Sequence, residues 1–203
     1  PPDPDVEPRQ VLDRDLTGVA RLLELDYQLF KDLNGLAGSS KTFDWLAVFF
    51  SEYVVFLMVA GLAIFVFIQK KQQKSFIAIM KIFAATIVSR LIFVPLIRAY
   101  HFRPRPFLEG EVNQLVPHSP LEGSFPSAHA SIMFALAAGL WLVNWRFGLV
   151  YAIFATLSGL SRAVVGVHYP LDILGGALVA LLAVGLVELA WRYWAGKKSQ
   201  KKV

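Results

Sequence analysis

The chain alternates long apolar stretches with short polar connections. Five stretches reach the ~20 mostly apolar residues that a helix needs to cross a bilayer. They run from Phe43 to Ile68, Ser75 to about Ile97, Ser127 to Trp145, Phe147 to Val167, and Leu171 to Trp194. Ahead of them, residues 16–36 place Leu16, Val19, Leu22, Leu23, Leu29 and Phe30 at near-helical spacing with charges between. This pattern predicts an amphipathic helix on the membrane surface, ended by Gly35 and Gly38. Residues 1–15 are rich in Pro and charge and read as a flexible lead-in, and residues 195–203 form a basic tail. The expected fold is all-α: one domain over 1–203, with a polytopic bundle of about five spans over 43–194.

Composition supports the bilayer reading. Of 203 residues, 56% are hydrophobic and only 17% charged, against about 25% charged in soluble domains. Mean hydropathy is +0.52. Cysteine is absent, which removes disulfides and thiolate metal sites. The chain opens on Pro1 and not on Met, which leaves room for an upstream stretch. The net charge of +5 is unevenly placed. Lys70, Lys71 and Lys74, then Arg146, then the tail fall on one side if the spans alternate. Cytoplasmic loops collect Lys and Arg, so that side is taken as cytoplasmic. Residues 1–42, with eight acidic and five basic residues, then lie outside. So do residues 98–126 and the turn near 168–170. Trp141, Trp145, Trp191, Tyr193 and Trp194 read as an aromatic belt at the inner interface. The basic residues are split between a tail and the outer connections, which disfavours nucleic acid.

The unusual polar residues gather in the two outer connections. Arg98, Arg103 and Arg105 fall within eight residues, followed by Pro106. Arginine presents planar donors that suit phosphate oxygens. Gly123-Ser-Phe-Pro-Ser-Ala-His129 opens the third span. There the amides of Ser127, Ala128 and His129 at a helix start favour an anion, the Ser127 hydroxyl adds a donor, and His129 can donate a proton. Ser161, Arg162, His168 and Asp172 close the set. An Asp172 carboxylate holding the His168 ring would free its other nitrogen to attack. Each segment alone also has a plain reading: headgroup contacts, a Ser127 helix cap, or an Arg162–Asp172 ion pair.

Together the three segments resemble the type-2 phosphatidic acid phosphatase superfamily, marked by K-x6-R-P, P-S-G-H and S-R-x5-H-x3-D. Here they read Arg98…Arg105-Pro106, Pro126-Ser127-Ala128-His129, and Ser161-Arg162…His168…Asp172. Arg98 stands for the usual Lys and Ala128 for the usual Gly; the first keeps the charge and the second keeps the amide. The resemblance implies a haloperoxidase-like helical core and a phosphatase that needs no metal and no cofactor. It implies His168 as nucleophile forming a phosphohistidine, Asp172 as its orienting partner, and His129 as the acid and then the base. Arg98, Arg105, Ser127, Arg162 and the Ala128 amide would bind the phosphoryl oxygens.

Within the superfamily, the Phe43-Asp44-Trp45 and Ser51-Glu52-Tyr53 runs, the Arg103–Phe107 segment and Pro117-His118 resemble bacterial undecaprenyl-diphosphate phosphatases of the bacitracin-resistance type. That likeness implies a lipid diphosphate substrate met on the outer face of the bacterial inner membrane. Phosphatidylglycerophosphate or phosphatidic acid as substrate shares every motif. A non-enzymatic transporter or interaction protein on the same fold is disfavoured because both His129 and His168 are kept. Oligomeric state is not legible. Glu52 and Arg90 lie at matching depths of about 14 and about 12 Å in the first two spans, and are expected to pair inside the bundle or, for Arg90, to reach a second phosphate. His101 and His118 read as loop residues.

Overall fold

A computed structural model describes residues 8–69 and 73–200. The lysines at 70 and 71, the start of the lead-in and the last three residues lie outside that range. Among the described residues all regular structure is helical. Helix α1 spans Pro8–Asn34, eight residues more at its start than the pattern predicts. Proline suits a first helical turn, and the charges after it do not oppose a helix. Helix α2 (Lys41–Val48) is capped by Ser40, whose hydroxyl accepts the Phe43 amide. It continues through a π-helical turn, Phe49–Tyr53, into α3 (Val54–Gln69). Likewise α4 (Gln73–Ile87) passes through a second π-helical turn, Val88–Phe93, into α5 (Val94–Tyr100). Then follow α6 (Ala128–Val143), α7 (Trp145–Val164) and α8 (Pro170–Gln200).

Among the described residues, four helical runs are long and apolar enough to cross a membrane: Lys41–Phe65, Phe76–Tyr100, Trp145–Val164 and Pro170–Lys197. The expected third span is shorter, with 16 residues in α6. At 1.5 Å per residue it is about 24 Å long, less than the ~30 Å hydrocarbon core. Ser124 and Ser127, just ahead of its start, are fully buried. The helix is the hub of the bundle. Met133, Leu136 and Leu140 pack with Val54, Met58, Leu62, Ile82 and Ala155, while Ala135 meets Ala85, Ala180 and Val184. Small residues let helices approach closely in bilayers. At Gly176 of α8 an added Cβ would sit 2.5 Å from the Ser127 carbonyl oxygen and 2.9 Å from the Ala130 Cβ. That contact sets the spacing between the starts of α6 and α8.

Helix α1 docks by a narrow stripe. Asp26, Phe30 and Asn34, one per turn, are buried, while Val19, Leu22, Leu25 and Leu29 face away from the protein. Phe30 meets Tyr169 edge to face. Asn34 Nδ2 donates to the Val164 and Asn113 carbonyls at 2.8 and 3.0 Å. The helix thus lies across the end of the bundle where α5 ends, α6 starts, and α7 turns into α8.

Candidate active site

The turn from α7 to α8 carries His168. Gly166 adopts φ +84°, open to glycine at little cost, with Val112 and Asn113 packed where a Cβ would stand. His168 and Asp172 follow as an i, i+4 pair, both essentially without solvent contact. His168 Nδ1 lies 3.3 Å from Asp172 Oδ2. The same oxygen accepts the Tyr169 amide at 2.8 Å. On its other side, His168 Nε2 faces Arg105 Nη1 at 3.3 Å. A guanidinium only donates, so Nε2 presents its lone pair there and Nδ1 carries the proton toward Asp172. Burial, then Arg162, Arg105 and Arg98, push the His168 pKa well below the ordinary imidazole range. The ring is therefore a neutral base at pH 7.

Three arginines act on that ring through their charge, Arg105 in direct contact. Arg105 is buried and donates to the carbonyls of Glu122 and Val167 at 3.1 and 3.0 Å. Arg98 Nη2 donates to the Pro126 carbonyl at 3.0 Å. Arg162 Nη1 donates to Ser51 Oγ at 3.3 Å and pairs with Glu52. Burial, then the charges of Arg98 and Arg162, lower the Arg105 pKa to about 10. It stays cationic, and the repulsion is the kind that an anion relieves. The exposed Glu122 carboxylate already does so in part, 3.5 Å from Arg98 Nη1 and 3.6 Å from Arg105 Nη2. Arg98 Nε and Arg162 Nε are buried donors with no hydrogen-bond partner. Such groups cost about 1–3 kcal/mol each until an acceptor arrives. His129, in the first turn of α6, is anchored by Ser158 Oγ 3.1 Å from its Nε2. It lies within electrostatic reach of Arg162, His168 and His118.

Residues 78–197 match the PAP2 superfamily. The chain belongs to the PAP2 superfamily. It is 33% identical over 159 residues to the undecaprenyl-diphosphatase BcrC of Bacillus subtilis (strain 168), covering 78% of this chain and 80% of that one. An undecaprenyl-diphosphatase of Sulfolobus acidocaldarius is 31% identical over 176 residues, 81% of this chain and 77% of its own. The crystal structure of Aquifex aeolicus LpxE superposes with a TM-score of 0.65 at 26% identity, over 80% of this chain and 94% of that one. With four membrane-length helices among its described residues, this PAP2 chain is a multi-pass membrane phosphatase.

Three expectations need correction in this PAP2 site. Glu52 pairs with Arg162 and not with Arg90. Equal depth did not make them neighbours. The π-helical turn bearing Glu52 packs on α7, whereas the turn bearing Arg90 packs on α6 and α8. Arg90 instead adds its charge near Arg98. The Ser127 amide is also not free for an anion, because it donates to the Asp172 carbonyl at 2.9 Å. The Ser127 hydroxyl caps α6 by accepting the Ala130 amide at 3.3 Å. It keeps its own proton to donate, and Ala128 begins the helix beside it. Asp172 does not pair with Arg162; its ion-pair partner is Arg103.

His118 is a site residue that the sequence placed merely in a loop. Its Nε2 is 3.2 Å from Arg162 Nη2 and its ring centre 6.5 Å from that of His168. Burial, then Arg105 and Arg162, lower its pKa to about 4. The unfolded chain, with an ordinary imidazole near pH ~6.5, takes up this proton first. His118 therefore contributes stability that is complete above about pH 6.5 and lost as pH falls toward 4. His168 acts in the same direction. Melting in detergent should occur at a lower temperature at pH 5 than at pH 7. In His118→Gln that drop should shrink; an unchanged drop would remove His118 as its source.

Proposed function

We propose that this chain hydrolyses undecaprenyl diphosphate to undecaprenyl phosphate through a phosphohistidine on His168, returning the lipid carrier of cell-wall synthesis to use. Arg105 facing the lone pair of His168 Nε2, with the charges of Arg162 and Arg98 acting on the same ring, carries this reading. The names of the two curated relatives favour the lipid diphosphate. The site is assigned to the outer face of the bacterial cytoplasmic membrane from loop charge, with the connections holding the site opposite Arg146 and the basic tail. Bacitracin resistance would follow from the same activity.

In this mechanism the terminal phosphoryl group displaces Glu122 from Arg98 and Arg105, and takes the free donors Arg98 Nε and Arg162 Nε. Ser127 Oγ and the Ala128 amide complete the cradle. His168 Nε2 attacks phosphorus, a P–N bond forms, and the bond to the bridging oxygen breaks. Its electron pair leaves with undecaprenyl phosphate, assisted by a proton that His129 takes up once the anionic substrate offsets the nearby arginines. The His168 ring, now cationic in character, is stabilised through Nδ1–H by Asp172. Water then attacks the phosphohistidine, His129 takes the proton, and inorganic phosphate leaves with Nε2 restored. Glu52 holds Arg162 from behind.

The test offers undecaprenyl diphosphate, phosphatidylglycerophosphate and phosphatidic acid in parallel to the purified protein in detergent with EDTA present. Phosphate release is expected from the first at a kcat/KM at least about tenfold above the others, a difference of about 1.4 kcal/mol in transition-state binding. Equal or better release from the glycerophospholipids would move the function to phospholipid synthesis. A loss with EDTA would overturn the metal-free scheme.

A further inference from the structure

Arg103 is two residues from Arg105, yet it turns away from the phosphate cradle. Its Nη1 donates to Asp172 Oδ1 at 2.9 Å and its Nη2 to Asp26 Oδ2 at 2.6 Å. The guanidinium lies over the Tyr169 ring, 4.0 Å from its centre. Asp26, on α1, is 2% exposed. Its second oxygen, Oδ1, accepts the Leu171 amide at 2.8 Å, in the first turn of α8. Anions at a helix start are favoured, so Asp26 ties α1 both to Arg103 and to the helix that bears Asp172.

We infer that Asp26 and Arg103 are positioning residues for the His168–Asp172 pair, so that α1 is part of the catalytic apparatus as well as of the fold. The inference rests on the roles proposed above for that pair. Asp172 divides its oxygens. Oδ2 serves the His168 ring and the Tyr169 amide, while Oδ1 has Arg103 as its ion-pair partner. The terminal torsion of a carboxylate is broad. Without Arg103 the carboxylate loses its charged partner and keeps only the Tyr169 amide and the Ser124 hydroxyl, so its angle to Nδ1 loosens. Without Asp26, Arg103 loses one of its two anchors and swings on the other. The effect reaches substrate only through Asp172, so turnover falls and affinity does not.

A bland alternative is that the buried ion pair only fastens α1, and buried pairs are weak evidence of stability in themselves. A double-mutant cycle separates the two. Full-length Asp26→Asn, Arg103→Gln, Arg103→Lys and Asp172→Asn, with the doubles, are compared in detergent for kcat, KM and melting temperature. Asp26→Asn and Arg103→Gln should lower kcat about 10- to 100-fold, the scale of a small misplacement at a reacting centre. KM should stay within about twofold, and Arg103→Lys should recover part of the loss. In the Asp172→Asn background neither change should lower kcat further. Losses that multiply with that of Asp172→Asn, or a fall in melting temperature with kcat unchanged, overturn the inference. Full activity in Asp172→Asn alone overturns the pairing itself, and this inference with it.

Discussion

Replacing His168 by alanine should reduce phosphate release from undecaprenyl diphosphate by about 10⁴- to 10⁶-fold, the cost of deleting a nucleophile that acts as one unit with its partners. The chemistry requires the loss to be this large. The arginine cradle would still bind the phosphoryl group, so KM should change little, but no side chain would remain to take the phosphoryl group in transit. Substrate labelled in its terminal phosphate should leave an acid-labile, base-stable label on the wild-type protein after rapid quenching, as an N–P bond does. The His168→Ala protein should carry none. Because His168 is 1% exposed and touches Asp172 and Arg105, His168→Asn serves as a second variant of smaller volume change. Labelling that persists in both folded variants would place the covalent intermediate elsewhere. Activity within tenfold of wild type would mean that water attacks directly and that the imidazole only binds.

The sequence carried the outline of this site because the motif residues lie where helices end, and their types match phosphate chemistry. His168 and Asp172 are four apart at the start of α8, a spacing that lets their side chains meet. Other parts were not legible, for physical reasons. Asp26 is one of five acidic residues on its helix, and nothing in the local pattern shows that one stripe of it docks on α8. Arg103 and Arg105 alternate along one extended segment, so one turns to the phosphate cradle and the other to Asp172; residue type cannot tell which. His118 sits in a connection without regular structure, where spacing has no meaning. The Glu52–Arg90 pairing failed because depth in the membrane is readable from rise per residue, whereas the face a helix turns to its neighbours is not. The extra residue in each π-helical turn rotates that face, and such turns recur at functional sites.

Removing the imidazole of His129 should have a different signature from removing His168, and the substrate decides which half of the reaction shows it. General acid or base catalysis contributes about 10²- to 10⁴-fold, so steady-state turnover in His129→Ala should fall by that much. With a lipid diphosphate, the leaving group is a phosphate monoester, which departs without a proton far more readily than an alkoxide. The first half-reaction should therefore survive in part. The second needs a base to take a proton from water, and should nearly stop. His129→Ala mixed with undecaprenyl diphosphate should then release about one undecaprenyl phosphate per protein in a burst, with the label held as phosphohistidine. With phosphatidic acid the leaving group is an alkoxide, the first step itself needs the acid, and neither burst nor label should appear. Ser158→Ala, which removes the hydrogen bond to Nε2 but keeps the ring, should give a milder loss of the same form. A burst absent with both substrates would make His129 the acid of the first step alone, and a steady state unchanged by the substitution would remove it from the mechanism.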